Sequence, residues 1–288
     1  MWESERRAFR QRAADVLATP VGSTAQLRAE GVSKRAIAAA IREGRLIRAR
    51  RDNYLAAGTD PALVAAVEAG GVLSCVSALR LLGVFVLDGG GLHVLVPPHS
   101  TRLKPSADKR IVRHWLPSSD GPFPRRACAH PIDTLAHAVR CQPPRAAVAS
   151  LDSSLHTGLI RPSDVTEVFA LLPKRFATLV PLLDGRAESG PETLARLLIR
   201  GITRDVDLQV RIDGVGRVDL LVNGWLVIEC DSEAHHLGSE AYRFDRTRDL
   251  ALAERGYTVL WLTAADIMWR PERVASAVRG LLRSRRRV

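Results

Sequence analysis

Acidic side chains interrupt two apolar segments near the C-terminal end of the chain. The segments RVDLLV and WLVIECD carry Asp219, Glu229 and Asp231 among aliphatic residues. A carboxylate on an otherwise buried surface costs free energy unless a partner neutralises it. Hard oxygen ligands suit Mg²⁺ or Mn²⁺, so we expect Asp219 and Glu229 to be the metal ligands. Such an ion can lower the pKa of bound water and stabilise charge on a phosphodiester.

The placement of these acids depends on a hairpin between the two segments. Asn223 and Gly224 separate the apolar runs, which is the strongest short-range hairpin signal. A strict two-residue loop would put Asp219 and Glu229 on opposite faces of the sheet. A three-residue loop, or one bulge, would put Asp219, Glu229 and Asp231 on one face.

Hydrophobic patterning favours the second arrangement. In that register we expect Leu221 to pair with Trp225 and Asp219 with Val227, which makes Asp219 and Glu229 diagonal neighbours. The opposite face then carries no charged side chain. Its members are Val218, Leu220, Val222, Leu226, Ile228 and Cys230.

The string RVDLLVNGWLVIECDSEAHH, followed by FDRTRDLALAERGYTVLWLT, resembles a known nuclease domain. It is similar to the very-short-patch-repair-like endonucleases of the PD-(D/E)xK restriction-endonuclease-like superfamily, over about residues 185–288. The resemblance implies a mixed β-sheet flanked by helices and a metal-dependent DNA endonuclease. The catalytic residues that it implies are Glu192, Asp219, Glu229, Asp231, His236, Asp245 and Arg248.

One departure from the superfamily pattern concerns proton transfer. Asp231 stands where many members have lysine, and this domain contains no lysine. Arginine stays protonated and cannot act as a base. His235 or His236 could act near neutral pH, and we favour His236.

Two of the implied residues also have simple structural explanations. Glu192 lies three residues after Ser189, so it could only complete a capping box at its helix. Asp245 and Arg248 could form an i,i+3 ion pair on a helix.

The N-terminal region has the pattern of a helix-turn-helix followed by a basic hairpin. STAQLRAEG and SKRAIAAAIREG read as two capped helices, and RLIRARRDNYLAAG reads as two short strands around Asp52 and Asn53. We expect a winged helix in which Ile37 and Ile41 face inward. The alternative is a small helical bundle with a solvated charged surface. The predicted DNA-binding residues are Lys34, Arg35, Arg42, Arg48, Arg50 and Arg51.

A second resemblance covers much of the N-terminal two thirds. TAQLRAEGVSKRAIAAAIREGRLIRARRDNYL, followed by LSCVSALRLLGV, is similar to the winged-helix and adjoining domain of abortive-infection type IV antitoxins. This resemblance implies DNA binding and transcriptional control without enzyme activity. A DNA-binding repressor or antitoxin-like protein with an inactive nuclease fold is therefore the alternative function. A nuclease-fold domain that binds RNA is a third, which no aromatic-rich strand motif supports.

Composition limits the classes of partner and of metal site that we expect. The 288 residues carry 42 basic and 31 acidic side chains, a net charge of +11 that attracts nucleic acid. The four cysteines are far apart and the histidines lack metal-ligand spacing, so we expect neither a disulfide framework nor a cysteine zinc site. We expect cytoplasmic localisation, double-stranded DNA as partner and no membrane partner, and we allow for a homodimer.

The segments together predict an α/β multidomain chain. Turn residues divide it into a winged-helix domain at 1–58, an antitoxin-like α/β middle domain at 59–184 and a nuclease domain at 185–288. For the last domain the order of elements is helix, three strands, helix, strand, helix. That order predicts a sheet with both antiparallel and parallel pairings.

Overall fold

The computed structural model describes residues 3–98, 110–115, 125–231 and 239–285, with the helical backbone alone over 239–245. Within these ranges the chain is a mixed α/β protein with sheets of two, three and four strands. The predicted α/β class is confirmed at this level. None of the helices in the described ranges combines the length and apolar character that crossing a membrane requires.

The described elements follow one another as helices and short strands. The helices are α1 (Glu3–Ala18), α2 (Thr24–Ala29), α3 (Lys34–Arg42), α4 (Pro61–Glu68), α5 (Cys75–Leu81), α6 (Pro131–Cys141), α7 (Pro144–Thr157), α8 (Val165–Ala170), α9 (Gly190–Arg200), α10 (Ser239–Glu254), α11 (Ala264–Trp269) and α12 (Pro271–Arg285). The strands are β1 (Leu46–Arg50), β2 (Asn53–Ala56), β3 (Val72–Leu73), β4 (Leu92–Leu95), β5 (Ile111–His114), β6 (Val206–Ile212), β7 (Gly216–Val222), β8 (Leu226–Asp231) and β9 (Thr258–Thr263).

The chain divides into two compact units. The N-terminal unit comprises Met1–Pro143 and Thr157–Thr178, and the C-terminal unit comprises Pro144–His156 and Leu179–Val288. The C-terminal unit thus contains most of α7, which the sequence placed in a middle domain. The division of the chain into three separately folding domains stays a prediction.

A buried core of the N-terminal unit includes its hairpin region. Val21 and Leu55 belong to the same buried cluster as Leu63, Leu73 and Val94. The sheet of this unit has the order β3-β4-β5, antiparallel between β3 and β4 and parallel between β4 and β5. The predicted boundary at 58/59 therefore falls within a shared core.

The predicted order of helix, helix and hairpin over residues 23–56 is confirmed. Ser23 and Ser33 cap α2 and α3, because their hydroxyl oxygens accept hydrogen bonds from the N–H groups of Gln26 and Ala36. β1 and β2 pair antiparallel around a turn at Asp52, which has φ +61°.

The C-terminal unit is built on the sheet β6-β7-β8-β9. β6, β7 and β8 pair antiparallel, and β8 pairs parallel with β9. The predicted helix, three strands, helix, strand and helix are all present, with α11 added before the last helix. The predicted mixture of antiparallel and parallel pairings is also confirmed.

The hairpin between β7 and β8 has a three-residue loop. Val222 pairs with Leu226, so the loop consists of Asn223, Gly224 and Trp225. Asn223 and Gly224 have φ +49° and +70°, and the Trp225 N–H donates to the Val222 carbonyl at 3.2 Å. The loop therefore closes one residue beyond Gly224.

The predicted three-residue loop is confirmed, but the predicted strand partners are wrong by two residues. Leu221 pairs with Val227 rather than with Trp225, and Asp219 does not lie opposite Val227. The shift arises because Trp225 belongs to the loop and not to β8. A shift of two residues leaves the faces unchanged, because side chains alternate with a period of two. The predicted apolar face is buried, and Val218, Leu220, Val222, Leu226 and Ile228 are each 0% exposed.

Candidate functional site

A row of polar side chains crosses three strands of the C-terminal sheet. Gln209 on β6 lies opposite Asp219 on β7, because the paired residues on either side of it fix this register. The register between β7 and β8 in turn places Asp219 opposite Glu229. Gln209 Nε2 lies 3.4 Å from Asp219 Oδ1, and the Asp219 N–H lies 3.4 Å from Glu229 Oε2. Asp219 Oδ2 accepts a 2.8 Å hydrogen bond from the Cys230 N–H. Asp219 and Glu229 are therefore direct rather than diagonal neighbours, which corrects the sequence expectation.

Gln209 has an unusual backbone conformation within its strand. Its φ is +55°, in the left-handed region that non-glycine residues seldom occupy. Strain of this kind persists only where the surrounding structure imposes it. Its buried Oε1 atom accepts no hydrogen bond from the described residues. This residue could not be predicted as part of the site, because an isolated glutamine in a strand has no distinguishing pattern.

Glu192 on α9 extends the acidic row. Ser189 caps α9 by accepting a 3.3 Å hydrogen bond from the Glu192 N–H. The Glu192 side chain is 5% exposed, and its Oε2 accepts from the Glu188 N–H at 2.9 Å and from Gln209 Nε2 at 2.7 Å. Ser189 therefore caps α9, but the Glu192 carboxylate accepts from the Glu188 N–H rather than from the Ser189 N–H, so the reciprocal bond of a capping box is not formed. The metal-site role of Glu192 stays a prediction.

Among the described residues, Arg248 on α10 is a cationic side chain that contacts the acidic residues. Its Nη2 atom lies 2.7 Å from Glu229 Oε1 and also donates to the Arg217 carbonyl. Both side chains of the ion pair are mostly buried. The partner expected from helix spacing, Asp245, has a side chain outside the described residues, so that i,i+3 pair stays a prediction.

Burial and mutual repulsion disfavour ionisation of the acidic cluster, which we define as Glu192, Asp219 and Glu229. Burial, reinforced by the negative charge of Asp219, raises the pKa of Glu192 to about 7. The same two causes raise the pKa of Glu229 to about 7, although Arg248 opposes them. Burial also raises the pKa of Asp219 above its usual value. Among the described residues, one guanidinium thus serves as the counter-charge for three carboxylates.

The donor type of the acidic cluster suits a hard divalent cation. They are carboxylate oxygens, the ligand type that Mg²⁺ and Mn²⁺ prefer. Glu229 Oε1 is buried and accepts no hydrogen bond from the described residues, although Arg248 lies close enough for an ion pair. A divalent ion would neutralise the excess negative charge that burial and repulsion now penalise.

The remaining predicted catalytic residues are only partly described. Asp231 is half-buried at the end of β8, two residues after Glu229, and pairs along the strand with Thr263 of β9. His235 and His236 lie outside the described residues. Their predicted role in proton transfer therefore stays a prediction.

The predicted DNA-binding residues lie on α3 and the adjoining hairpin. Ile37 is buried and Ile41 half-buried, whereas Lys34, Arg35 and Arg42 are exposed, as expected. Arg48 and Arg51 are exposed and Arg50 is half-buried. Among the described residues, Glu43 forms an ion pair with Arg45.

The hairpin is anchored to the start of α2. Asp52 Oδ1, in the β1–β2 turn, accepts a 2.7 Å hydrogen bond from the Thr24 N–H. The Thr24 hydroxyl lies 3.3 Å from the Tyr54 hydroxyl, and the backbones of Gly22 and Tyr54 form a bridge. Hydrogen bonding to Thr24 also lowers the pKa of Asp52. The basic residues of the hairpin are thereby held in a fixed relation to the two helices.

The N-terminal unit contains a group of metal-ligating side chains that the sequence expectation missed. Cys75, His93, His114 and Cys141 each offer a donor atom, and these atoms all lie within 4.8 Å of one another. Cysteine and histidine spacing did not predict this group, and the expectation of no cysteine zinc site stays a prediction until metal binding is measured. Spacing gave no signal, because the four residues come from α5, β4, β5 and α6.

Comparison with known proteins gives distant relatives. No protein-family model matches the chain. Two proteins from two strains of Mycobacterium tuberculosis are each 28% identical to this chain over an alignment of 225 residues, and the match covers 73% of this chain and 80% of the relative. Both relatives are described as uncharacterized proteins. The similarity thus extends over most of each relative and conveys no activity.

Proposed function

We propose that this protein is a metal-dependent DNA endonuclease, targeted by a winged-helix domain. The observation that carries the proposal is the acidic cluster, in which three carboxylates from α9, β7 and β8 converge on one face of a mixed sheet. In this proposal α9, α10 and β6–β9 form a restriction-endonuclease-like domain. The helices α2 and α3 with the β1–β2 hairpin form the winged helix.

The charge of the acidic cluster supports a divalent cofactor. Arg248 can balance only one of the three carboxylates, and unbalanced buried charge is costly. Asp219 and Glu229 would hold Mg²⁺ or Mn²⁺, with Glu192 as an additional acid beside them. When bound, such an ion lowers the pKa of a water molecule and stabilises negative charge on the phosphodiester.

The side chains around the acidic cluster have positioning roles in this proposal. Arg248 fixes one oxygen of Glu229, and the Cys230 N–H fixes one oxygen of Asp219. Gln209 joins Glu192 and Asp219 through its amide group. Oriented carboxylates lose less conformational freedom when they engage a ligand.

Proton transfer is assigned to His236 on the strength of the sequence resemblance. The C-terminal domain has no lysine, and a histidine titrates near neutral pH. His236→Ala should retain metal binding and lose about 10²- to 10⁴-fold in cleavage rate. An equal loss of metal binding and rate would instead make His236 a ligand.

Basic residues of α3 and the hairpin support double-stranded DNA as the partner. Lys34, Arg35 and Arg42 form an exposed set on one side of α3, and Arg48 and Arg51 lie exposed on or beside the hairpin. Phosphate contacts by such residues supply most of the sequence-independent affinity for duplex DNA.

The second candidate is a DNA-binding repressor or antitoxin-like protein with an inactive nuclease fold. The ion pair between Arg248 and Glu229 favours it, because a guanidinium 2.7 Å from a carboxylate can substitute for a metal as counter-charge. Asp231 at the position of the superfamily lysine favours it as well. In this case the protein would bind DNA and leave it intact.

Cleavage of plasmid DNA separates the two candidates. The full chain is incubated with supercoiled, linear and mismatched DNA in Mg²⁺, Mn²⁺ or EDTA. We expect nicking or cutting with a divalent ion, loss of cleavage in Asp219→Ala and Glu229→Ala, and no loss in the surface control Glu254→Gln. Undiminished cleavage by Glu229→Ala contradicts the mechanism. Binding without cleavage under all conditions favours the repressor.

A further inference from the structure

The four side chains Cys75, His93, His114 and Cys141, here called the Cys₂His₂ cluster, lie in the N-terminal unit, apart from the acidic cluster in sequence and in ligand chemistry. We propose that the Cys₂His₂ cluster is a structural zinc site. Thiolate and imidazole ligands suit Zn²⁺, whereas carboxylates suit Mg²⁺ and Mn²⁺. The inference does not depend on the nuclease proposal.

Two of the distances within the Cys₂His₂ cluster match those around a tetrahedral ion, and all four donor atoms lie within 4.8 Å of one another. His93 Nδ1 lies 3.2 Å from His114 Nε2 and 3.7 Å from Cys141 Sγ. With the usual Zn–N and Zn–S bond lengths, tetrahedral angles separate two nitrogens by about 3.3 Å and a nitrogen from a sulfur by about 3.6 Å. The side chains therefore need little movement to bind one ion.

Neighbouring groups orient the histidines toward the common centre. His93 Nε2 lies 3.4 Å from the Gly90 carbonyl, and a carbonyl can only accept, so this contact favours a proton on Nε2 and a lone pair on Nδ1. The His114 ring stacks on the His137 ring at a centroid distance of 5.3 Å. His137 Nδ1 in turn lies 2.8 Å from the Ser74 hydroxyl. A backbone carbonyl or a second polar group behind a ligand is the usual support of a metal site.

The backbone at Cys75 also brings its sulfur to the cluster. Cys75 begins α5 with φ +56°, a left-handed value that costs free energy for a residue with a Cβ. The Ser74 hydroxyl does not cap α5 and contacts His137 instead. The left-handed backbone at Cys75 is consistent with a ligand role, because it directs the Cys75 sulfur to the other three donor atoms.

A site with four protein ligands is typical of structural rather than catalytic zinc. Cys75 and His93 are buried, and Cys141 is exposed at the end of α6. The ion would join α5, β4, β5 and α6, elements that are distant in sequence. Binding free energy at such a site contributes directly to folding.

Metal content of the full-length protein tests this proposal. The chain is produced with zinc in the medium and purified under reducing conditions without chelator. We expect one zinc ion per chain by elemental analysis, at least a tenfold weaker affinity in Cys141→Ser, and no change in Cys128→Ser. Cys128 is a suitable control because it is a buried cysteine of the same unit outside the cluster.

Two further measurements keep the proposal falsifiable if a variant fails to fold. In the wild type, alkylation of exposed Cys141 should be slow until a chelator removes zinc, and the melting temperature should then fall. Replacement by Co²⁺ should give the absorption spectrum of a tetrahedral thiolate site. The proposal is overturned by a metal-free, folded wild type, by alkylation that chelator does not accelerate, or by a Cys75–Cys141 disulfide under these conditions.

Discussion

The buried carboxyl group of Glu192 makes the stability of the fold depend on pH. Its pKa is raised from 4.5 in the free group to about 7, mainly by burial and then by Asp219. The folded chain therefore binds more protons than the unfolded chain between these two values. Stability from this group is fully present below about pH 4.5 and is lost as pH rises through about 7.

Substituting Glu192 by Gln should remove this loss of stability. In EDTA at about pH 8 we expect Glu192→Gln to be more stable than the wild type by about 1 to 3 kcal/mol, and at about pH 5 we expect a much smaller gain. Chemical denaturation at both pH values measures the difference. Glu254→Gln, an exposed acid on α10, is the control. A gain that is equal at both pH values would show that ionisation of Glu192 does not limit stability.

Two members of the acidic cluster could be predicted from the sequence, because they are charged residues within apolar strands. Asp219 and Glu229 stood out because each interrupts a buried strand, and alternation alone placed them on one face. Gln209 was not predicted, because neither an isolated glutamine in a strand nor its positive φ has a sequence signature. The Cys₂His₂ cluster was missed for a different reason, since its members are separated by long stretches of chain.

At the scale of elements, a buried ion pair joins α7 to α9. Asp152 and Arg196 are 0% and 2% exposed, and their charged groups lie 2.9 Å apart. Asp152 also accepts hydrogen bonds from the Thr193 hydroxyl at 3.0 Å and the Asp184 N–H at 2.7 Å. Burial still raises the pKa of Asp152 to about 6, against the effect of these partners.

Removal of Asp152 should be strongly destabilising. Asp152→Ala leaves the Arg196 guanidinium buried without its partner, so we expect a loss of about 3 to 5 kcal/mol in the free energy of unfolding. Asp249→Ala, which breaks the more exposed pair with Arg246, should cost less than about 1 kcal/mol. Denaturant titration of the three proteins gives the comparison. Equal costs for the two variants would contradict the importance assigned to the α7–α9 pair.

The helix α3 and the β1–β2 hairpin should determine the salt dependence of DNA binding. If about five of their basic residues contact phosphates, log affinity should fall against log salt with a slope of about −4 to −5. The double variant Arg35→Ala/Arg42→Ala should reduce the magnitude of that slope by about 2. Arg7→Ala/Arg12→Ala on α1 makes the same change in net charge and should leave the slope unaltered. The reverse result would place the DNA surface on α1.

Element types and order were more predictable than element partners. The four strands of the C-terminal sheet follow from their apolar patterns, and the NG pair located the hairpin. The predicted register of this hairpin was wrong by two residues, because the loop extends to Trp225. That extension depends on local backbone conformation. The placement of most of α7 in the C-terminal unit was not predicted, because contacts such as the Asp152–Arg196 ion pair link residues distant in sequence.

At the scale of the whole molecule, the shared core of the N-terminal unit limits which tests are informative. Deleting residues 1–58 would remove Val21 and Leu55 from contact with the cluster around Leu63 and Leu73. Such a truncation would unfold the unit as well as remove basic residues. Point substitutions on α3 and the hairpin therefore test DNA binding more cleanly than truncation.

The chain as a whole combines a net charge of +11 with the Cys₂His₂ cluster, whose geometry could hold a metal ion, and with the acidic cluster, for which we propose a divalent cation. In our account the acidic cluster binds a divalent cation for catalysis, and the Cys₂His₂ cluster binds zinc for stability. The first of these is the central claim. It concerns binding and can therefore be tested without knowledge of the DNA target.

Titration of the zinc-loaded full-length protein with Mn²⁺ at about pH 8, above the raised pKa values of the acidic cluster, is the most direct test. We predict one Mn²⁺ per chain by calorimetry, displaced by excess Mg²⁺, abolished by Asp219→Asn and retained by Glu254→Gln. Affinity should weaken as pH falls below about 7, because protons then compete for Glu192 and Glu229. Absence of Mn²⁺ binding in the wild type, or equal binding in Asp219→Asn, would contradict the account.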